Sequence, residues 1–199
     1  MPKQHTAKEK LLEAAQTLML SKGYPATTVD EICELAHVSK GSFYHAFDTK
    51  EALGLAVLEA FGERNARLIA EGPQAHIDDP VDRALQLLDH LMETAGEMWG
   101  SGCLLGSFAL DLADTHPAIG EAVSDAFRGI ADGLAEGMAP LAAEGGHAGA
   151  LSAGELAEHF IVVVEGALIL AKAHQDWSYV TRALERFQRE VHATVAVGA

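Results

Sequence analysis

The sequence predicts an all-α protein of about nine helices, arranged as a three-helix N-terminal head and a larger helical domain. Three observations carry that reading. Apolar residues recur at spacings of three and four along one segment after another, as they do on one face of a helix. Thr6, Thr27 or Thr28, Ser39 and Asp79 stand just before such segments, where a side-chain oxygen can cap orphan amides. Breaks at Gly23, Gly72-Pro73, Gly100-Ser101-Gly102, His116-Pro117 and Gly145-Gly146 separate them. At 199 residues and 49% apolar, the chain is long enough for a small module and a second domain with its own core.

Residues 1–5 read as a loose tail. The first helix runs over about 6–21, with Ala7, Leu11, Ala14, Ala15 and Leu18 inward. Thr6 and Glu9 form a capping box, and Gly23 ends the helix. Pro25 opens the link to the second helix, where Val29, Ile32, Leu35 and Ala36 make one apolar face. Asp30 and Glu31 sit in its first turn, where the dipole favours negative charge. A break at Ala36-His37-Val38-Ser39 follows. Ser39 then caps a third helix, in which Phe43 and Phe47, four apart, anchor inward. Lys40, Gly41, Ser42, Tyr44 and His45 are left on the outside. A short helix with a small, polar, basic N-terminal end is what a DNA major groove accepts. By itself the pattern reads equally well as an ordinary helical hairpin in a core.

A fourth helix starts near Asp48 or Thr49 and runs to about Ala70, with Leu53, Val57, Ala60, Phe61 and Arg64 continuing toward the second domain. Lys50 sits at its N-terminus, against the dipole, where a cation without a partner points to an external anion. After the joint at 71–76, Asp78 and Asp79 cap a helix with Pro80 at its first position. Val81, Leu85, Leu88, Met92 and Ala95 are its predicted inner face. A short helix begins at Cys103 and runs to about Ala113, and the next runs to about Ala143. The Gly-rich stretch 145–149 reads as a flexible loop. Two last helices are predicted over 152–174 and 177–196. The first carries Leu156, Phe160, Val163, Val164, Ala167, Leu170 and Ala171 at helical spacing, with Ile161, Val162, Leu168 and Ile169 on its other faces. A helix with no polar face must be covered on all sides, and a second subunit is the simplest cover. The second carries Val180, Leu184, Phe187 and Val191.

Charge is divided unevenly. Residues 1–50 hold six Lys and six acidic residues, whereas residues 51–199 hold eight basic and 23 acidic ones, which is the whole net charge of −15. An acidic body would be repelled by DNA and turn a neutral head toward it; it would equally serve only to keep the protein in solution. The most apolar run, 160–171, is too short for a membrane span and contains Glu165. With no signal-peptide pattern, a cytoplasmic protein is expected. Cys33 and Cys103 make no disulfide framework. Ten His show no metal-ligand spacing, and His116, His147 and His159 read as loop or helix-surface residues. No phosphate loop, nucleophile elbow or distinct carboxylate pair suggests an enzyme, so neither a cofactor nor a metal is expected.

From Ala15 to Leu53 the chain resembles the TetR family of dimeric bacterial repressors. The resemblance rests on Lys22-Gly23-Tyr24, Thr27-Thr28, Ile32, Ala36, Val38-Ser39-Lys40-Gly41-Ser42, Phe43-Tyr44, Phe47 and Lys50-Glu51-Ala52-Leu53. Two positions depart from it: His37 replaces the usual turn Gly, and Ala46 replaces a His or Tyr that often meets a phosphate. His tolerates a left-handed backbone better than most side chains. The resemblance implies a helix-turn-helix domain over 1–50, with its reading motif at 28–47, and an effector-binding and dimerisation domain over 51–199. It implies a ligand-released homodimeric repressor on a palindromic double-stranded operator, with Lys40, Gly41, Ser42 and His45 near base edges. Thr28, Tyr44 and Lys50 would meet phosphates, and Ser39 would cap the reading helix. The last two helices would pair between subunits. An unidentified small-molecule effector would bind among Met92, Trp99, Cys103, Phe108, Phe127 and Phe160. The Gly102-Cys103-Leu104-Leu105-Gly106 pattern marks a branch in which that Cys can react with electrophiles or oxidants. This makes a thiol switch through Cys103, with Lys172 as a polar partner, the alternative. A helical ligand carrier without DNA binding is the reading from another class.

Overall fold

The computed structural model describes residues 6–144 and 151–198. The expected tail at 1–5 and the Gly-rich loop at 145–149, with His147, lie outside the described residues. Among those described, the chain forms nine α-helices, one 3-10 turn and no strand. They are α1 Ala7–Lys22, α2 Val29–Ala36, α3 Lys40–Ala46, α4 Lys50–Ala70, the 3-10 turn Pro73–His76, α5 Pro80–Trp99, α6 Leu104–Leu112, α7 Pro117–Glu144, α8 Ala153–His174 and α9 Ser178–Gly198.

Local chemistry sets most helix starts. The Thr6 hydroxyl accepts from the Glu9 amide at 3.2 Å, while the Glu9 carboxylate accepts from the Thr6 amide at 2.6 Å. Thr28, not Thr27, caps α2 in the same reciprocal way with Glu31. Thr27 is fully buried and its hydroxyl donates to the Gly23 carbonyl at 2.8 Å. Asp79 accepts from the amides of Val81 and Asp82 with Pro80 opening α5, and Ser152 with Glu155 caps α8. Each arrangement satisfies amides that a helix start leaves orphaned.

Packing separates two units. The first takes in Met1–Arg64 and Ser101–Ala126, the second Asn65–Gly100 and Phe127–Ala199. This places the packing boundary later than 50/51, because the start of α4 shares a core with α6 and the start of α7. Tyr24 meets Phe108 edge-on, with ring centroids 5.5 Å apart. Gly54 of α4 lies so close that an added Cβ would stand 3.1 Å from the Tyr24 ring, 3.6 Å from Phe108 and 3.7 Å from Ile119. Within α1 the core residues are Leu11, Ala14, Ala15, Met19 and Leu20, so the stripe turns slightly past the predicted Leu18, and Ala7 is exposed.

In the second unit α9 buries the predicted Val180, Leu184, Phe187 and Val191 against α8. Phe160 and Phe187 pack edge-on at 5.2 Å. The predicted face of α5 is corrected. Ala84, Leu87, Leu88, Leu91, Ala95 and Met98 are buried, while Val81, Leu85 and Met92 are half-buried. Apolar residues lie on adjacent rows of this helix, so the spacing fits either rotation. Leu170 is also corrected from inner face to surface, at 45% exposure beside Ile169 at 57%. At the α4–α5 joint a Cβ on Gly72 would run into the His90 ring and the Gln74 side chain, so a larger residue there requires them to shift.

The turn between α2 and α3 bears on the reading helix. His37 adopts φ 54, ψ 44, and its amide and that of Val38 close α2 on the carbonyls of Glu34 and Cys33 at 3.1 and 3.0 Å. A left-handed backbone costs a residue with a Cβ about 1–2 kcal/mol, partly offset by the lower unfolded-state entropy relative to glycine. His37→Gly is therefore expected to raise stability by about 0.5–1 kcal/mol, read as a higher urea midpoint. A fall in the midpoint would mean that the imidazole itself supports the turn.

Candidate nucleic-acid interface

The interface is built from α2, the His37 turn and α3. Phe43 is fully buried and Phe47 nearly so, with ring centroids 6.1 Å apart. That pins one side of α3 to the head and turns the other outward. Lys40, Gly41, Tyr44 and His45 are exposed and Ser42 is half-buried. The Ser39 hydroxyl caps the helix by accepting from the Ser42 amide at 3.1 Å, and the two serine hydroxyls lie 2.9 Å apart. Tyr44 stands edge-on to Phe43 at 5.1 Å with 58% of its surface exposed. Gly41 has room around it. A Cβ there would meet only the Ser39 Oγ, at an ordinary 3.6 Å.

Carboxylates lie beside cations of the head. Lys40 Nζ is 2.7 Å from Asp30 Oδ1, and that pairing raises the Lys40 pKa. Lys22 Nζ is 2.5 Å from Glu31 Oε1. The Lys22 hydrogen bond first, then those from the Thr28 amide and hydroxyl, hold Glu31 down at about 2. The Thr28 hydroxyl both accepts from the Glu31 amide and donates to its carboxylate at 2.8 Å, so it is engaged in the cap of α2.

Lys50 corrects an expectation. The cation at the start of α4 is not without partners. Its Nζ donates to the carbonyls of Tyr24 at 2.9 Å and Thr27 at 2.8 Å, and lies 4.1 Å from the centroid of the Tyr24 ring. Hydrogen bonds from a charged donor are worth about 1.5–3 kcal/mol each, which outweighs a dipole misfit of about 0.3–1 kcal/mol. The signal in the sequence was real, but the partner is internal. Ala46 is half-buried and its methyl offers no donor.

The other predicted residues divide between the units. Cys103 and Phe108 belong to the first, and Met92, Trp99, Phe127, Phe160 and Lys172 to the second. Cys103 is the N-cap residue of α6 and is 7% exposed. Phe108 and Phe160 are buried against Tyr24 and Phe187, which is core packing. Met92, Trp99 and Phe127 are half-buried, and Lys172 is exposed. His116 lies in the loop before α7, as expected; it is half-buried there and its ring packs edge-on to Tyr24 at 5.7 Å. No group of three or more His, Cys, Asp or Glu among the described residues could hold a metal, and no helix among them is long and apolar enough to cross a membrane.

A short helix anchored by aromatics, capped by serine and presenting its N-terminal half defines a helix-turn-helix DNA-binding regulator. Residues 11–57 match the model for bacterial regulatory proteins of the tetR family, and residues 80–187 match the C-terminal domain of LmrA/YxaF-like transcriptional regulators. The transcriptional regulator AcuR of Cereibacter sphaeroides is 35% identical over 184 residues, which is 86% of this chain and 78% of that protein. The transcriptional repressor NemR of Escherichia coli K12 is 30% identical over 131 residues, 64% of each chain. A solved regulatory protein TetR from Rhodobacter sphaeroides superposes with a TM-score of 0.77 at 28% identity, covering 92% of this chain and 97% of that one. The chain belongs to the TetR family of DNA-binding transcriptional regulators.

The Glu31 carboxylate carries a pH dependence. Its pKa in the fold is about 2 against an ordinary 4.5, so the stability it contributes is present above pH 4.5 and lost as pH falls toward 2. Glu31→Gln should flatten the fall of the urea midpoint across that window. An equally steep fall in the variant would assign the acid sensitivity to other carboxylates.

Proposed function

We propose that the chain is a homodimeric repressor that reads a palindromic operator with two copies of α3 and leaves it when a small molecule binds the helical body. The observation that carries the reading is Gly41. In the first turn of α3 nothing in the fold asks for a glycine, yet a glycine there gives up helix propensity. A backbone that must come close to base edges accounts for it. Lys40, Gly41, Ser42 and His45 are the base-edge set of this reading, with Tyr44 at a phosphate and Ser39 as the cap. Thr28 would reach a phosphate only by giving up its bond to Glu31, and Lys50 has two of its three ammonium donors committed to carbonyls. For this reason neither is assigned a DNA contact.

The pairing surface is the outer face of α8. Val162, Ile169 and Leu170 are exposed there at 68%, 57% and 45%, and a Cβ on Gly166 would meet nothing within 4 Å. Apolar side chains around a bare glycine suit a second copy of the same helix. Ile169→Glu is expected to convert a dimer to a monomer in sedimentation velocity; an unchanged dimer would move the interface elsewhere. A regulator of this kind works in the cytoplasm, where its DNA is. The effector is unidentified, and the burial of Cys103 gives no support to release through its thiol.

Selection of 30-bp duplexes from a random library by the wild-type protein tests the reading. A palindromic consensus is expected, and no enrichment at low salt would overturn it. On the selected duplex, Lys40→Ala should weaken binding by about tenfold or more. Gly41→Ala should also lose affinity while its folded stability stays level or rises by about 0.5–1 kcal/mol. Full affinity in Gly41→Ala would remove the close backbone approach.

A further inference from the structure

We infer that Lys50 is a positioning residue that clamps the reading head, tying the link between α1 and α2 to the start of α4. The family expectation places it on a phosphate; the geometry points inward. An ammonium has three donors. Two are taken by carbonyls that lie 26 and 23 residues earlier in the chain, and the face of the Tyr24 ring covers a further side of the group. Burial lowers the pKa of the group, as it does for a cation held out of water.

The place of those carbonyls gives the clamp its effect. Thr27 immediately precedes the Thr28 cap, so the position of its carbonyl sets where α2 begins. The α2 helix leads through the left-handed His37 turn to Ser39 and α3. Tyr24 is held from its other sides by Phe108 of α6 at 5.5 Å, by His116 at 5.7 Å and by the close approach of Gly54 on α4. Lys50 and Tyr24 therefore form one joint at which α4, α6, the segment just before α7 and the α1–α2 link meet. Removing the ammonium would leave the carbonyls of Tyr24 and Thr27 without this donor, and α2 free to shift on α1.

Lys50→Met keeps most of the stem and removes the charge. Its test has one arm without DNA and one with the duplex selected by the wild-type protein. In the free protein, the clamp requires hydrogen exchange at residues 24–46 to accelerate about tenfold or more, while α5, α8 and α9 keep wild-type protection. On the duplex, affinity should fall with the slope of log K against log KCl unchanged. A phosphate contact would instead leave exchange in the free protein as in the wild type and lower the slope by about 0.9 for each protomer bound. Unchanged exchange or a lowered slope would each overturn the inference.

If exchange accelerates everywhere in Lys50→Met, Lys50→Arg decides. Arginine keeps the charge a phosphate needs, but its broad planar head is a poor replacement between two carbonyls and a ring. Local loosening at 24–46 in Lys50→Arg supports the clamp, and wild-type exchange with wild-type affinity overturns it. The affinity arm rests on the DNA-reading proposal. Failure of the wild-type protein to retain any duplex would count against that proposal alone and leave the exchange arm to judge the clamp.

Discussion

Burial of Phe43 is what allows a seven-residue helix to exist as a presented surface. A helix that short does not form alone in water, because its few internal hydrogen bonds do not repay the cost of nucleation. Here the Ser39 cap, the closing turn at His37 and two aromatics, one fully buried and one nearly so, hold it on α1 and α2. Because the anchor sits at positions 43 and 47, the residues at 40, 41, 44 and 45 face out. Core packing in the head thus determines which residues are available to read a groove.

The electrostatics of the head favour selective binding over tight binding. Lys40 and Lys22 lie against Asp30 and Glu31, exposed pairs worth little in stability. Such pairs can yield to a phosphate or a base edge that offers better geometry, and with six acidic residues against six Lys in 1–50 the head has no net positive charge to hold arbitrary DNA. The excess negative charge lies outside residues 1–50, which adds a repulsive term for any orientation that turns the body toward the duplex. In the proposed reading, affinity then comes from fit at α3, with Gly41 as the point of close approach.

Much of this was legible in the sequence because the signals are local. The capping pair Thr6 with Glu9, a cap of α2 at Thr27 or Thr28, the Pro80 start, the His37 turn and the Val180-Leu184-Phe187-Val191 stripe are each set by residues a few positions apart. What could not be read depends on contacts distant in sequence. The rotation of α5 is ambiguous because two adjacent rows are apolar. The later packing boundary follows from Tyr24 meeting Phe108, 84 positions further on. The partners of Lys50 are backbone carbonyls, which leave no trace in side-chain pattern. Leu170 and Ile169 are apolar yet exposed in the single chain, and in a helix apolar all round the periodicity does not say which row faces the core.

The most direct measurement is dimethyl sulfate methylation interference on the selected duplex, which reads guanine N7 in the major groove. If two copies of α3 enter two major grooves, interference should fall in two symmetric clusters one helical turn, or a multiple of it, apart. Both should fade when Lys40 is replaced by alanine. Binding without major-groove interference, or with a single cluster that Lys40→Ala leaves intact, would contradict the account of α3 as the reading element.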